Sequence, residues 1–404
     1  MDAVPGTYGS IRGMNMAKVS IIIPTYNVEV YLDQCMKSVI RQSLQDIEIV
    51  CVNDGSTDSS LEILKKYAAQ DPRVVIVDQP NGGYGKAMNA GFDRATGEYI
   101  GIVEPDDYID PEMYEDLYNI AKEHDLDFVK SDFYRFVTKE NGDIQFKYFH
   151  LSTEPEDYNK VFAPCETPEA LNYVMNTWCG IYRRSFLLEY GIRHNETPGA
   201  SFQDNGFFFQ TFAFGRSAMI IDKAYYKNRR DNPNSSVKNP EKVYCANIEY
   251  DHIRSILMEH PETWKNFRYM YWKKRFTNTL ATIDRIAPEY RKDYCRNAQR
   301  EFKGAQENGL IRRRDYNDSH WSKMQMILKD PDTYVLMTMD AGSAAKAAAA
   351  EFEKFMGDSR KLQDVLNSNS YKLGFTLTAA PRFAKEAAKK TLKGMKKWKN
   401  RLLK

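Results

Sequence analysis

The sequence predicts an α/β fold, a mostly parallel sheet flanked by helices, followed by a helical C-terminal region. Short, nearly continuous apolar runs alternate with helix-spaced segments through the first third of the chain, the pattern of strands buried on both faces. From about Val243 to about Leu366 the apolar spacing is helical throughout. Apolar residues make up 42% of the chain, with 26 Tyr and 21 Phe, enough for a sizeable core and against wholesale disorder.

Taken in order, Val19–Ile23 is an apolar strand stopped by Pro24, and Leu32, Cys35, Met36, Val39 and Ile40 then recur at helical spacing. Ile47–Val52 is the next strand and runs into the polar cluster Asn53–Asp58. Ser59 and Glu62 form a capping-box pattern that opens a helix through Tyr67. Val74–Val77 and Tyr99–Val103 are further strands with a helix around Lys86–Ala95 between them, and Phe128–Ser131 adds another strand. Residues 140–235 mix strands and loops, with a dense aromatic stretch at Ser201–Phe209. The polar loop Asp231–Ser236 marks a boundary. The expected organisation is a flexible leader at 1–17, an α/β domain at 18–235, a mainly helical region at 236–378 with Ala344–Phe355 its clearest helix, and a basic tail at 379–404.

Composition removes several function classes. Lys and Arg number 57 against 55 Asp and Glu, a net charge of +2 that does not suit a uniformly basic nucleic-acid binder. The charge is uneven: residues 382–404 hold ten Lys/Arg and one Glu, which is +9 and leaves the rest at −7. No stretch approaches ~18 uninterrupted apolar residues, so no membrane-spanning helix is expected. Cys35, Cys51, Cys165, Cys179, Cys245 and Cys295 are scattered, with no C-x-x-C spacing, and read as reduced thiols of a cytosolic protein. The six histidines show no ligand spacing, against a zinc site.

In open parallel sheets ligands sit at the carboxyl ends of the strands. The residues there are Thr25-Tyr26-Asn27, Asn53-Asp54-Gly55, Asp78 and Glu104-Pro105-Asp106-Asp107, so acidic groups converge on one rim. Each cluster alone also reads as turn and N-cap residues. Adjacent Asp106 and Asp107 repel unless a cation or protons neutralise them, and Mg²⁺ or Mn²⁺ binds through one or two carboxylates plus substrate phosphates. The loop Asn81–Lys86 allows close backbone approach and offers an ammonium group. It lacks the third glycine of a Rossmann fingerprint, because Met88 stands there, and the Ser/Thr of a Walker loop, because Ala87 follows Lys86.

Val19–Asn27, Val52–Asp58, Asn89-Ala-Gly-Phe with Ala95–Ile100, and Glu104–Asp107 occur in an order and spacing that resemble family-two glycosyltransferases with the GT-A fold. Four ordered motifs over about Lys18–Ser131 carry the resemblance, which extends more loosely to about Lys238. It implies that Pro24, Thr25, Tyr26, Asn27 and Asp54 hold the nucleotide, commonly a uridine, and that Lys86 and Asn89 border the sugar and ribose. It places ribose and a metal-bound diphosphate at Asp106 and Asp107. Members often have Asp where Glu104 stands, which puts Glu104 in doubt as a direct ligand. Asp204 matches the catalytic base, with Gln203 where many members have Glu; a helix cap is the other reading of Asp204. Arg229, Arg230 and Ser235-Ser236 match a segment that folds over the donor diphosphate, or an exposed basic loop. The implied reaction is metal-dependent and inverting, moving a sugar from a nucleoside-diphosphate donor to a hydroxyl of a glycan or lipid-linked acceptor in surface polysaccharide synthesis.

The acceptor side is less legible. Trp178 is the candidate for stacking on a sugar and His194 a weaker one, although aromatics at the density of Phe207–Phe209 are more often core. In the tail, Ala388, Leu392, Met395, Trp398 and Leu402 step by three or four among lysines, as in a helix lying on an anionic membrane, or a solvated terminal helix. The expected location is cytoplasmic, peripheral on the inner face of the cell membrane, and a homo-oligomer stays open. The rival functions are a non-catalytic sugar-nucleotide or carbohydrate-binding module with a helical assembly region, and a nucleotidyltransferase, for which the triphosphate loop is missing.

Overall fold

A computed structural model describes residues 17–200, 202–233 and 239–338. The leader up to Met16, Ser235-Ser236, the expected Ala344–Phe355 helix and the basic tail lie outside the described residues. The described residues form two compact units, one of 17–233 and 244–275, the other of 239–243 and 276–338.

In the first unit the chain runs β1 (Val19–Thr25), α1 (Glu29–Ile40), β2 (Ile47–Asp54), α2 (Ser60–Gln70), β3 (Val74–Gln79), α3 (Tyr84–Arg94), β4 (Tyr99–Ile102), β5 (Tyr108–Ile109), α4 (Met113–Glu123) and β6 (Phe128–Thr138). It continues through β7 (Ile144–Phe149), β8 (Gly180–Arg183), α5 (Arg184–Glu189), α6 (Gln203–Phe214), β9 (Ala218–Arg229) and α7 (Cys245–Glu259). The sheet has nine strands among the described residues, in the order β3-β2-β1-β4-β8-β6-β9-β5, with β7 on β6. The pairs β1–β2, β1–β4, β2–β3 and β6–β9 are parallel; β8, β5 and β7 add antiparallel contacts. The sheet is therefore mixed, with its parallel half where the apolar runs predict it.

Every residue of β1 is buried, which explains its unbroken apolar character. The strand does not stop at Pro24 but pairs through Thr25. Ile22 accepts from Val103 N on the β4 side, and Pro24 faces that same side beyond the end of β4 at Ile102. The missing N–H therefore breaks no ladder bond. The capping box is also corrected: Ser59 makes no side-chain cap, Asp58 Oδ1 accepts from Ser60 N at 3.0 Å, and Glu29 takes Ser59 N at 2.8 Å. Helix α1 buries the predicted Leu32, Cys35, Met36 and Val39. Helix α3 lies close on the sheet because Gly91 has no Cβ; one there would come within 2.4 Å of Ile22 Cγ2.

The 25-residue α8 (Pro261–Arg285) begins in the first unit, and its last turns belong to the second. There α9 (Pro288–Glu307), α10 (Asp318–Lys329) and α11 (Pro331–Thr338) pack on one another around Tyr294, Ala298, Phe302, Met324 and Val335. No described helix is long and apolar enough to cross a membrane. The six cysteines are free, four of them buried and Cys165 and Cys245 half-buried.

Candidate active site

The parallel strands all end on one rim, so the residues after β1, β2 and β4 stand side by side. Asp54 closes β2 and is almost fully buried. Its Oδ1 accepts from Gly82 N at 2.9 Å and Gln79 Nε2 at 2.8 Å, and its Oδ2 from Gly83 N at 2.9 Å. Asp54 thus clasps the glycine loop before α3, and Asn53 holds Asp78 at 2.7 Å. Gly83 needs its φ of 89°, and a Cβ there would strike Thr197 O and Gly199 N. Lys86, in the first turn of α3, is exposed and free to meet an anion.

On the first strand, Thr25 is buried and donates to Ile23 O, whereas Tyr26 presents an exposed ring, the form a nucleotide base can stack on. Asn27 adopts φ 50° and accepts from Thr57 N at 2.8 Å, tying the ends of β1 and β2 together. Asn89 plays a stapling part: its amide donates to His194 O and Glu196 Oε1, and its carbonyl takes His194 N.

The acidic turn after β4 is held from β9. Asp107 is buried and accepts from Asn228 Nδ2 at 3.0 Å and Arg229 N at 2.6 Å; burial and neighbouring Asp106 push its pKa well above the usual range. Asp106 accepts from Asn232 through Oδ2 at 2.8 Å, and among the described residues its Oδ1 has no hydrogen bond. Arg229 is locked in place, donating to Asp106 O, Gln34 and Asp231 while lying over the Tyr31 and Phe136 rings. The guanidinium expected at the diphosphate therefore braces the acidic turn, and Lys86 is the exposed cation on the donor loop.

Glu104 accepts from Tyr84 Oη at 2.7 Å, and its amide donates to the Tyr226 hydroxyl. Burial first, then the charges of Asp106 and Asp204, push its pKa up to about 8. Its proton affinity has a stability consequence. Folded Glu104 keeps a proton that an ordinary Glu loses near 4.5, so the folded state binds more protons and stability falls as pH rises from about 4.5 to about 8. Glu104→Gln is expected to make the fall in melting temperature over that window shallower; an unchanged slope would contradict the assignment.

Asp204 stands in the first turn of α6, about a hundred residues downstream of the acidic turn, yet within electrostatic reach of Glu104 and Tyr84. It makes no N-cap; Phe202 occupies that position, in the left-handed region at φ 70°. Asp204 Oδ1 accepts from Asn205, and burial raises its pKa. Gln203 Nε2 donates to Thr197 O, Thr197 Oγ1 and Gly199 O, and the bonds to the two carbonyls are ones a Glu carboxylate could not make. It pins the 197–199 loop against Gly83, joining the base helix to the donor loop.

Sequence reasoning missed Tyr84, Asn228 and Glu249. Glu249, on α7, accepts from Asn195 at 3.1 Å, and burial with the nearby Asp204 charge pushes its pKa up to about 7. Only its apolar surroundings, far from any motif, could have flagged it. Trp178 is half-buried, stacked on Tyr226 at 4.2 Å and edge-on to Phe133. Buried Lys130 holds the loop before it by donating to Asn176 and Tyr182. His194 leaves the acceptor candidates: it is 3% exposed, stacked on Phe207 and against Phe92 and Tyr84, and burial holds it neutral with a pKa pushed down to about 3. The Phe207–Phe209 run is core.

Comparison with known proteins agrees with this geometry. The profile of "Glycosyl transferase family 2" matches residues 20–191. Glycosyltransferase EpsJ of Bacillus subtilis is 34% identical over 226 residues, 55% of this chain and 64% of that protein. The cholesterol galactosyltransferase of Borreliella burgdorferi is 32% identical over 52% of this chain and 60% of its own length. The chain thus spans less than two thirds of these relatives. The crystal structure of S. aureus TarS 1-349 in complex with UDP-GlcNAc shares the fold, with a TM-score of 0.57 at 21% identity over 82% of this chain and 92% of that one. Residues 20–191 thus match the model of glycosyl transferase family 2, and the chain shares its GT-A fold with TarS.

Proposed function

We propose that the protein is a metal-dependent, inverting glycosyltransferase that moves a sugar from a nucleoside-diphosphate donor, a UDP-sugar, to a hydroxyl of a glycan or lipid-linked acceptor in surface polysaccharide synthesis. The observation that carries this reading is the electrostatic neighbourhood of Asp204 and Glu104, next to the Asp106-Asp107 turn. A binding module does not need a carboxylate within electrostatic reach of Glu104 beside the acidic turn. The UDP-GlcNAc complex of TarS supports the donor class on the shared fold.

Asp106 and Asp107 suit Mg²⁺ or Mn²⁺. Among the described residues no group of three or more His, Cys, Asp or Glu could hold a metal ion by itself, so substrate phosphates would have to complete the coordination shell. Such an ion, when bound, stabilises charge on a diphosphate. In the reaction the Asp204 carboxylate takes the proton of the acceptor hydroxyl as its oxygen bonds to the anomeric carbon. The bond from that carbon to the phosphate oxygen breaks, and its electron pair leaves with the diphosphate. Attack opposite the leaving group inverts the anomeric centre. Lys86 meets the diphosphate, Tyr26 the base, and Trp178 offers a face to the acceptor sugar.

A screen of nucleotide sugars with Mn²⁺ or Mg²⁺, following released nucleoside diphosphate, tests the reading. Turnover of a UDP-sugar that stops with chelator is expected; binding without turnover across donors and acceptors would favour the binding-module alternative. The charge of residues 382–404 supports a peripheral position on the cytoplasmic membrane face. Vesicles containing phosphatidylglycerol are expected to co-sediment the full chain and not one ending at Pro381; equal binding by both would reject the tail as the anchor.

A further inference from the structure

Among the described residues, one group of cations near the acidic turn makes no ion pair. Arg135 on β6 pairs in register with Lys147 on β7 and stands next to Asn228 on β9. Side chains alternate along strands, so Phe133 and Arg135, Lys147 and Phe149, and Tyr226 and Asn228 share one face of the sheet. The rings confirm it: Phe133 stacks on Phe149, and Trp178 contacts both Phe133 and Tyr226. Arg135 Cζ and Lys147 Nζ both lie over the Phe149 ring, 4.3 and 5.2 Å from its centre. Arg230 extends β9 by donating its N–H to Phe136 O, and two residues past Asn228 it falls on the same face.

Most arginines of this unit have a carboxylate, but among the described residues neither Arg135, Lys147 nor Arg230 has an ion pair. Arg135 Nε is buried with no hydrogen-bond partner. Burial and the charge of Arg230 both push the Arg135 pKa down, as for a cation lacking its anion. The nearby acids are engaged elsewhere: Asp231 with Arg229 and Thr138 N, Asp107 with Asn228 and Arg229 N. A half-desolvated guanidinium with an open edge, beside a second and a third cation, is a receptor for a multivalent oxyanion such as phosphate. The donor diphosphate belongs at the acidic turn. Arg135 lies one strand out from Asn228 and Lys147 two, roughly 5 and 10 Å away at ordinary strand spacing, on the side of Trp178.

We propose that Arg135, Lys147 and Arg230 form a phosphate-binding wall of the acceptor subsite, so that the acceptor is a sugar or polyol carrying phosphate, its ring on Trp178. This rests on the donor reading given above. The phosphate can come from a phosphodiester glycan or from a polyprenyl-diphosphate-linked sugar, and the test separates the two.

The full-length chain, saturated with UDP, is titrated with poly(glycerol phosphate) and, separately, with phosphatidylcholine vesicles carrying or lacking a polyprenyl diphosphate. Wild type is expected to bind one of the two phosphate probes, and to bind it more weakly as salt rises. The Arg135→Gln/Lys147→Gln double variant is expected to bind that probe at least about 10-fold more weakly with UDP affinity unchanged. Lys147→Gln alone, at an exposed position, is expected to give a smaller loss in the same direction. The probe that binds identifies the source. Absence of binding to wild type by both probes, or equal binding by the double variant, overturns the proposal. Failure of wild type to bind UDP would remove the donor reading and the proposal with it.

Discussion

Asp204→Asn is expected to lower sugar transfer by about 10³-fold or more, while UDP affinity stays within a few fold. The asparagine keeps the volume and the Oδ1 acceptor that Asn205 uses, so α6 and its packed Phe207, Phe208 and Phe209 are undisturbed. What is lost is proton acceptance by the carboxylate, and a positioned general base contributes about 10²–10⁴-fold. The raised pKa of Asp204 fixes the sign of the pH dependence. Only the carboxylate form accepts the proton, so the wild-type rate rises with pH through that pKa and then levels, and the residual rate of the variant lacks this limb. Nucleoside diphosphate release and UDP titration, run on both forms, check it. A variant with wild-type turnover would remove Asp204 as base.

Asp107→Asn is expected to cost about 10²–10³-fold in kcat/KM, chiefly through loss of metal-dependent donor binding. Asp107 is buried beside Asp106, where two negative charges are tolerable only with protons or a cation. Its oxygens meet two donors, Asn228 Nδ2 and Arg229 N. An asparagine satisfies one and presents an NH₂ to the other, so the turn also loses a hydrogen bond. The Mn²⁺ titration of activity should shift to higher concentration, while UDP binding without metal changes little. An unchanged Mn²⁺ titration would show that Asp107 does not serve the ion.

The two variants probe parts of the site that were legible to different degrees. The motif ends Thr25, Asp54 and Asp107 could be placed from sequence because buried parallel strands write themselves as continuous apolar runs that end in polar clusters. Asp204 followed from family resemblance, since nothing in its local pattern separates it from a helix cap. The second half of the sheet was faint: β6 runs on to Thr138 and pairs with three strands, and the exposed β7 has little apolar pattern. The part of Arg229 changed because its surroundings, Tyr31, Gln34, Phe136 and Asp231, come from distant segments. Gln203, which looked like a lost charge, is an amide donor to the folded 197–199 loop. The Tyr84–Glu104 bond and the approach of Glu249 to Asp204 are long-range in the same way.

The central claim is spatial, and a crystal structure with Mn²⁺ and the donor selected by the screen tests it most directly. The account predicts the base at Tyr26, the diphosphate between Lys86 and the Asp106-Asp107 turn, and the anomeric carbon between the leaving oxygen and Asp204. A donor bound away from that turn, or Asp204 on the same side of the sugar as its leaving phosphate, would contradict it.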